Sequence, residues 1–483
     1  MTSPIAKQPK TASVLLALCA AMVIPAHAQT FSVLANFNRA NGAGPQSLAQ
    51  GVDGNFYGTT GAGGPIGYGT VFRLTPSGSL TSLYYFCSLT NCPDGWAPNT
   101  GLLLATDGYF YGTTQNGGSL NSAGTVFKIS GSGALTTLYS FCVTSGCPDG
   151  ANPLAGLAEG LDRDGYGTAY QGGAYGSGTV FKITSTGALT TLHNFCSTHS
   201  SFCPDGANPA AGMVLGADGN LWGTTQNGGK YGDGTVFKIS SSGTLTTIYS
   251  FCALAGCADG AFPDTALVQG SDGNFYGGTL GGGIHTAGTL FKVTPKGKLT
   301  DIYDFCLENC LSASSALVQA TDGNFYGTTF EGGPDNLGTI FRITSSGILT
   351  VLHNFAITDG GEPNTGVIQA TNGTFYGTTL IDGTGTSSDC PYGCGTAVSL
   401  SEGLGPFVKT IPTAGFMGSS VMILGNNLTG ATSVTFNGTE AAFTVVSATE
   451  ITTIVPTGAT TGTIKVVTPS ETLSSNVPYR VRR

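Results

Sequence analysis

Asp322-Gly323-Asn324-Phe325-Tyr326-Gly327-Thr328-Thr329, followed by Gly338-Thr339-Ile340-Phe341-Arg342-Ile343 and by Leu349-Thr350-Val351-Leu352-His353-Asn354-Phe355, decides the fold. An aspartate-glycine pair before a short aromatic and threonine run reads as a tight hairpin entering a strand, because glycine tolerates the positive φ that such turns need. The two later phrases are β-branched and aromatic runs separated by glycine- and serine-rich turns, so the unit offers a small antiparallel sheet.

The unit recurs along the chain. The Asp-Gly phrase starts at Asp53, Asp107, Asp164, Asp218, Asp272, Asp322 and, with asparagine for aspartate, Asn372, a period of about 50–57 residues that marks propeller blades. The Gly-Thr phrase starts at Gly69, Gly124, Gly178, Gly234, Gly288, Gly338 and Gly395. The Leu-Thr phrase ends at Phe86, Phe141, Phe195, Phe251, Phe305 and Phe355, and its seventh copy stands at the other end of the chain as Phe31 to Phe37. Each unit carries four short strands, in the fourth copy Gly212 to Leu215, Asn220 to Thr225, Gly234 to Ile239 and Leu245 to Phe251. One such sheet cannot bury both faces, whereas a ring gives every sheet two neighbours. The expected fold is all-β: a seven-bladed β-propeller over residues 29–402, with the N-terminal strand closing the last blade. The third copy, Asp164-Gly165-Tyr166-Gly167, lacks two residues before its tyrosine, so its second strand is expected to be shortened or bulged.

The flanks differ in texture. Lys7 and Lys10 precede the apolar run Ala12 to Ile24 and a small-x-small site at Ala26-His27-Ala28, so residues 1–28 read as an export signal cleaved near Ala28. The apolar run is shorter than the ~20 residues that span a bilayer, and no later run is long enough, so no membrane span is expected in the mature chain. The expected location is secreted, periplasmic or at the cell surface. The twelve cysteines beyond Cys19 fall into close pairs, Cys87/Cys92, Cys142/Cys147, Cys196/Cys203, Cys252/Cys257, Cys306/Cys310 and Cys390/Cys394. In an exported chain these read as local disulfides, and their even distribution argues against two pairs meeting around zinc, so no metal is expected. The formal net charge of −9, with 9% charged residues and no basic cluster, speaks against nucleic acid as a partner. Residues 401–405 form a linker, and from residue 403 to 483 Val/Thr/Ile-rich runs such as Ser433 to Phe436 and Gly462 to Val467 suggest a small β-sandwich without cysteine.

The DGNFYGTT and GTVFKI phrases resemble the GloVer tandem repeat of exported bacterial proteins, which are surface or secreted proteins with interchangeable C-terminal anchors and no assigned activity. Here the chain ends at Arg482-Arg483 without an apolar sorting tail. Ile411-Pro412, Gly415, Gly418, Val421 to Leu428, Val434 to Gly438, Val455-Pro456 and Thr461-Gly462 resemble an IPT/TIG domain, an immunoglobulin-like module that serves as spacer or binding partner.

Function is sought where the units differ. The Asp-Gly and Ser-Gly hairpins fall on one face of the ring, and the cysteine loops and Asn-Gly-Gly loops fall on the other, where binding loops usually sit. Trp96, Tyr175, Tyr231, His285 and Glu331, beside Gln115-Asn116 and Gln226-Asn227, are the candidate ligand contacts there. Aromatic faces with amides suit a sugar ring, while the plain alternative is turn chemistry and blade packing. The repeated aspartate fits a hairpin role better than calcium, and the two alternating acids of Asp162-Arg163-Asp164 are too few for that ion. His193 and His353 stand where other units have tyrosine, as Tyr84 and Tyr139, and so read as packing residues. No catalytic constellation or cofactor-binding phrase is recognisable. The reading is a secreted or surface binding protein for glycans or a cell-surface protein. The alternatives are a polysaccharide hydrolase or lyase using a pair of non-repeated acids, among Glu159, Glu331, Asp335 and Glu362, and a purely structural scaffold.

Overall fold

The computed structural model describes residues 29–118, 122–197, 203–306, 316–384, 390–391 and 393–482, so the expected leader lies outside the described residues. The described chain is all-β apart from one 3-10 turn, Ala255–Cys257, and none of its helices is long and apolar enough to cross a membrane. In the sixth unit Val318–Gln319, Phe325–Thr329, Thr339–Ile343 and Leu349–Asn354 form one antiparallel sheet in sequence order. Seven sheets of this kind occur among the described residues, and the first and fifth add a short strand each, Ala43–Pro45 and Ala261–Pro263.

The Asp-Gly phrase forms the turn between the first two strands. Gly323 has φ 82°, the left-handed conformation for which the turn selects glycine. Asp322 accepts hydrogen bonds from the Asn324 backbone N–H and the Tyr326 hydroxyl, each at 3.0 Å. Asp53 and Tyr57 repeat the contact at 2.9 Å, Asp272 and Tyr276 at 2.8 Å, and in the fourth blade Trp222 Nε1 donates to Asp218 at 3.0 Å. The carboxylate thus ties the turn to the aromatic residue four positions on, and in the seventh unit the Asn372 amide donates to the Tyr376 hydroxyl instead, at 3.0 Å.

That aromatic ring then crosses to the next blade. Tyr57 stacks on Phe110 (4.3 Å between centroids), Trp222 on Phe275 (4.0 Å), Tyr276 on Phe325, Tyr326 on Phe375 and Tyr376 on Phe56 (4.1 Å each). The ladder breaks around the third blade, where Gly165 and Leu221 occupy the phenylalanine place. Buried clusters straddle each pair of neighbours, and Phe56 and Phe72 of the first blade share one with Tyr376 and Ala397 of the seventh. The N-terminal strand Thr30–Asn36 completes the seventh sheet, pairing antiparallel with Thr396–Ser401 from Thr30↔Ser401 to Asn36↔Thr396.

The third blade corrects the sequence expectation. Its second strand, Gly165–Ala169, has the usual five residues and pairs in regular register with Thr179–Ile183. Asp162, not Asp164, takes the repeated place and accepts the Tyr166 hydroxyl bond at 2.7 Å, while Arg163 adopts the glycine's positive φ of 69°. The phrase is complete, with arginine for glycine and glycine for phenylalanine, so nothing is missing from the strand. Asp162 and Asp164 both pair with Lys182, at 3.2 and 2.9 Å.

Disulfides join Cys87–Cys92, Cys142–Cys147, Cys196–Cys203, Cys252–Cys257 and Cys390–Cys394. The sixth expected pair involves Cys310, which lies outside the described residues. Four of these loops are held by a second repeated acid: Asp94 accepts from the Tyr84 hydroxyl and the Cys87 N–H, both at 2.9 Å, and Asp149, Asp205 and Asp259 act likewise. His193 and His353 use the same arrangement, with Nε2 3.0 Å from Asp205 and 3.1 Å from Asp359, so they are scaffold partners like the tyrosines they replace.

Asp301 breaks this regularity. It sits opposite Phe291 where Thr137 sits opposite Phe127, and burial, reinforced by the neighbouring Asp304 and Asp259, pushes its carboxyl up to about 7. A raised folded-state pKa means that the favourable contribution is complete below the unfolded value near 4 and is lost as pH rises through about 7. Asp301→Thr is therefore expected to leave the melting temperature unchanged at pH 4 and to raise it by roughly 2–4 °C at pH 8. A pH series of thermal melts checks this.

Residues beyond the linker form a separate sandwich. One sheet orders Lys409–Ile411, Ser420–Leu424, Glu450–Ile454 and Phe443–Val445, and the other orders Thr439–Glu440, Ser433–Phe436, Ile464–Val467 and Thr472–Ser474. Val421, Ile423, Phe436, Ile451, Ile464 and Tyr479 form its core without any disulfide.

Candidate functional site

The innermost strands surround an axial channel. Two residues before each of them stands a small residue, Ser47, Gly101, Gly156, Gly212, Ala266, Ala316 or Gly366, and neighbouring backbones come close there: a Cβ on Gly156 would lie 2.6 Å from Gly101 O. Next to these, on the long-loop side, Gln46, Asn99, Asp264 and Asn364 line a cavity of ≈ 420 Å³. It shares Leu102, Leu157 and Met213 with a deeper cavity of ≈ 380 Å³, whose walls include Leu103, Ala158, Val214 and Ile368.

The deep end is floored by the C-terminal module. Lys409, Thr410, Ile411, Pro412 and Thr413 line it together with Leu424. The module is fixed to the Asp-Gly face by polar contacts: Thr449 Oγ1 donates to Val52 O at 2.6 Å, Arg163 to Ser420 O at 2.7 Å, Asn426 to Thr371 Oγ1 at 2.9 Å, and Arg482 to Ala217 O. It thus lies over hairpins of the first, third, fourth and seventh blades. At Gly273 and Gly323, in the fifth and sixth, a Cβ would meet no described atom within 4 Å. The module thus covers part of the channel's Asp-Gly end.

Among the described residues three titratable groups line it. Burial pushes Asp264 up to about 7, and its Oδ1 has no hydrogen-bond partner among the described residues. Burial pushes the Lys409 amine down to about 8. Glu159 stands where Gln50, Gln269, Gln319 and Gln369 stand in other blades. Those glutamines accept a bond from the preceding blade, as Gln269 Oε1 does from Ala217 N–H at 2.8 Å, and the last three donate onward to Gly273, Gly323 and Gly373 carbonyls. Glu159 Oε1 keeps the first role toward Thr106, but its Oε2 has no partner among the described residues, and burial raises its pKa. A carboxylate cannot donate, whereas the neutral acid can, so stability from this group is complete at low pH and falls as pH rises through its folded pKa. Glu159→Gln is expected to melt higher than the parent protein at pH 8, by about the 1 kcal/mol of one recovered hydrogen bond, and equally at pH 4.

The nine residues singled out from sequence lie in the long-loop layer, and none lines the channel. Trp96 packs edge-on against Tyr68, 5.6 Å between centroids. Gln115 Oε1 accepts from Asn99, and Gln226 Oε1 from the Tyr170 hydroxyl, each at 3.0 Å. Asn116 and Asn227 make longer contacts with Asn152 and Asn208, both 3.4 Å. These four amides therefore serve the joints between blades. Tyr175, Tyr231, His285 and Glu331 are exposed at loop tips, with Lys230 over the Tyr231 ring at 5.1 Å. The same face exposes Leu89 (61%), Val143 (70%), Leu254 (58%), Ile284 (73%) and Ile357 (67%), loop after loop around the ring.

Glu362 is the acid of that face whose environment is shared: burial raises its pKa, followed by the charges of Asp382 and Glu331. Among the described residues the one group with metal-ligand spacing is Asp233, Cys252 and Cys257, and its two sulfurs are joined to each other.

The architecture defines a repeat-built, disulfide-clipped propeller with an immunoglobulin-like module under its axis. The chain belongs to the Gloeobacter/Verrucomicrobia repeat family, whose model matches residues 22–204 and 197–390, and residues 406–481 match the IPT/TIG domain. Among solved structures it is similar to the extracellular domain of a hybrid two-component system protein from B. thetaiotaomicron, at 11% identity and TM-score 0.51, covering 92% of this chain and 52% of that one. It is also similar to a fungal alcohol oxidase of the AA5 family in complex with copper, at 12% identity and TM-score 0.50, covering 92% and 98%. At such identities the likeness is one of fold. Among curated proteins no match was found. The family, the immunoglobulin-like module and the disulfides fit a surface or interaction protein.

Proposed function

We propose that the chain is an exported binding protein whose contact surface is the long-loop face, and that its partner is a glycan or a glycan-bearing surface protein. The observation that carries this is the asymmetry of the two faces. The Asp-Gly side is largely occupied by the C-terminal module, while the other side presents exposed aliphatic tips and the rings of Tyr68, Tyr175 and Tyr231. Exposed apolar side chains recurring on one face mark interaction surfaces, and tyrosine offers a sugar both a stacking face and a hydroxyl.

A glycan array probed with mature protein, followed by Tyr68→Ser, Tyr175→Ser and Tyr231→Ser, tests the proposal. Binding should appear and weaken with these changes. An array without hits, or hits indifferent to all three tyrosines, would sink it.

Glu362 supports one further reading, cleavage of a bound polysaccharide, since a raised carboxyl beside two further carboxyl groups suits a general acid. Release of reducing ends from any array ligand, abolished by Glu362→Gln with binding retained, would support that activity; binding without release removes it.

A further inference from the structure

We propose that the axial channel binds a small monocarboxylate with an apolar body, its carboxylate received by Lys409 at the floor. Lys409 lines the deeper cavity, and among the described residues no carboxylate pairs with it; its Nζ lies over the Phe407 ring, 5.8 Å from the centroid. Among the described residues Glu159 is the one acid lining the same cavity; its Oε1 accepts from Thr106, and no ion pair joins it to Lys409 among the described residues. Beside Lys409, Thr410 is 5% exposed and its hydroxyl has no hydrogen-bond partner among the described residues. Apart from Gln50 and Thr413 the remaining walls, including Leu103, Val214, Ile368 and Leu424, are apolar.

A partly buried ammonium is costly unless a counter-charge joins it, and burial pushes Lys409 down to about 8. An entering carboxylate supplies that charge, and the apolar walls take the rest of the molecule. The ≈ 380 Å³ of the deeper cavity suits a ligand of small-molecule size. Asp264 lines the outer cavity, and a carboxyl there favours a ligand with one carboxylate, placed away from it at Lys409. The proposal concerns the channel and stands apart from glycan binding by the loops.

Calorimetric titration of mature protein with sodium octanoate, with 1-octanol as the neutral match, tests it. One saturable site is expected, with octanol and the Lys409→Met variant each at least about tenfold weaker. Because Lys409 lacks a carboxylate partner among the described residues, the methionine variant is expected to keep the fold, which a thermal melt verifies. If that variant misfolds, the comparison of octanoate with octanol on unchanged protein still decides. Absence of saturable octanoate binding, equal binding of octanol, or undiminished binding by folded Lys409→Met each overturns the proposal.

Discussion

Deleting Thr30 to Phe37 is expected to abolish cooperative thermal unfolding of the seven-sheet array. The segment supplies the outer strand of the seventh blade, and without it Thr396–Ser401 becomes an unpaired edge. Phe31 and Val33 pack into the cluster shared by the sixth and seventh blades, and Leu34 and Ala35 into the cluster shared by the seventh and first. Phe37 is fully buried, meets Phe72 edge-on at 5.0 Å, and its N–H donates to Gly395 O at 2.9 Å. Each buried large apolar side chain contributes roughly 1.5–3 kcal/mol, so losing several of them removes an amount comparable to the ~5–15 kcal/mol that stabilises a whole domain. Calorimetry should show a broadened, low-temperature transition, and limited proteolysis should cut first in the seventh blade. A synthetic peptide of residues 29–37 added in excess should restore part of the lost transition, since the strand is held without covalent closure. A truncated chain that melts cooperatively within a few degrees of its parent would show that the segment does not close the array.

That strand was legible in the sequence because a repeat lets a missing copy be counted: six Leu-Thr phrases follow their partners and the seventh stands at the chain's start. The third blade was misjudged because Asp164-Gly165 spells the expected turn while the functioning one is Asp162-Arg163, where arginine accepts a glycine conformation. The second repeated acid, Asp94 and its counterparts, was available in Cys92-Pro93-Asp94-Gly95 and Cys147-Pro148-Asp149-Gly150 but stood beside the more conspicuous cysteines. Asp264 could have been found by comparing the residue after each proline, Gln46, Asn99, Leu154, Ala210, Asp264 and Asn364, of which it alone is charged. Lys409 could not, because its place at the channel floor depends on how the C-terminal module docks on the blades. The amides of Gln115 and Gln226 suggested ligand contacts by their type, and only the geometry shows them joined to Asn99 and Tyr170.

Replacing Tyr326 by alanine is expected to cost about 3–5 kcal/mol, the range for truncating a fully buried aromatic residue. Its ring joins blades six and seven by stacking on Phe375 at 4.1 Å, and its hydroxyl closes the Asp322 turn at 3.0 Å. The two roles separate by substitution. Tyr326→Phe keeps the stack and removes only the bond to Asp322, so it should cost near 1 kcal/mol. Tyr111→Ala makes the same truncation where the following blade offers Gly165 in place of a ring. Without a stacking partner to lose, that change should be cheaper than Tyr326→Ala by about 0.5–1.5 kcal/mol, the increment that aromatic pairs add beyond area burial. Equilibrium denaturant melts of the three variants measure these differences. Equal costs at positions 111 and 326 would mean that the blades are joined by general apolar burial and that the ladder of stacked rings adds nothing specific to the ring's cohesion.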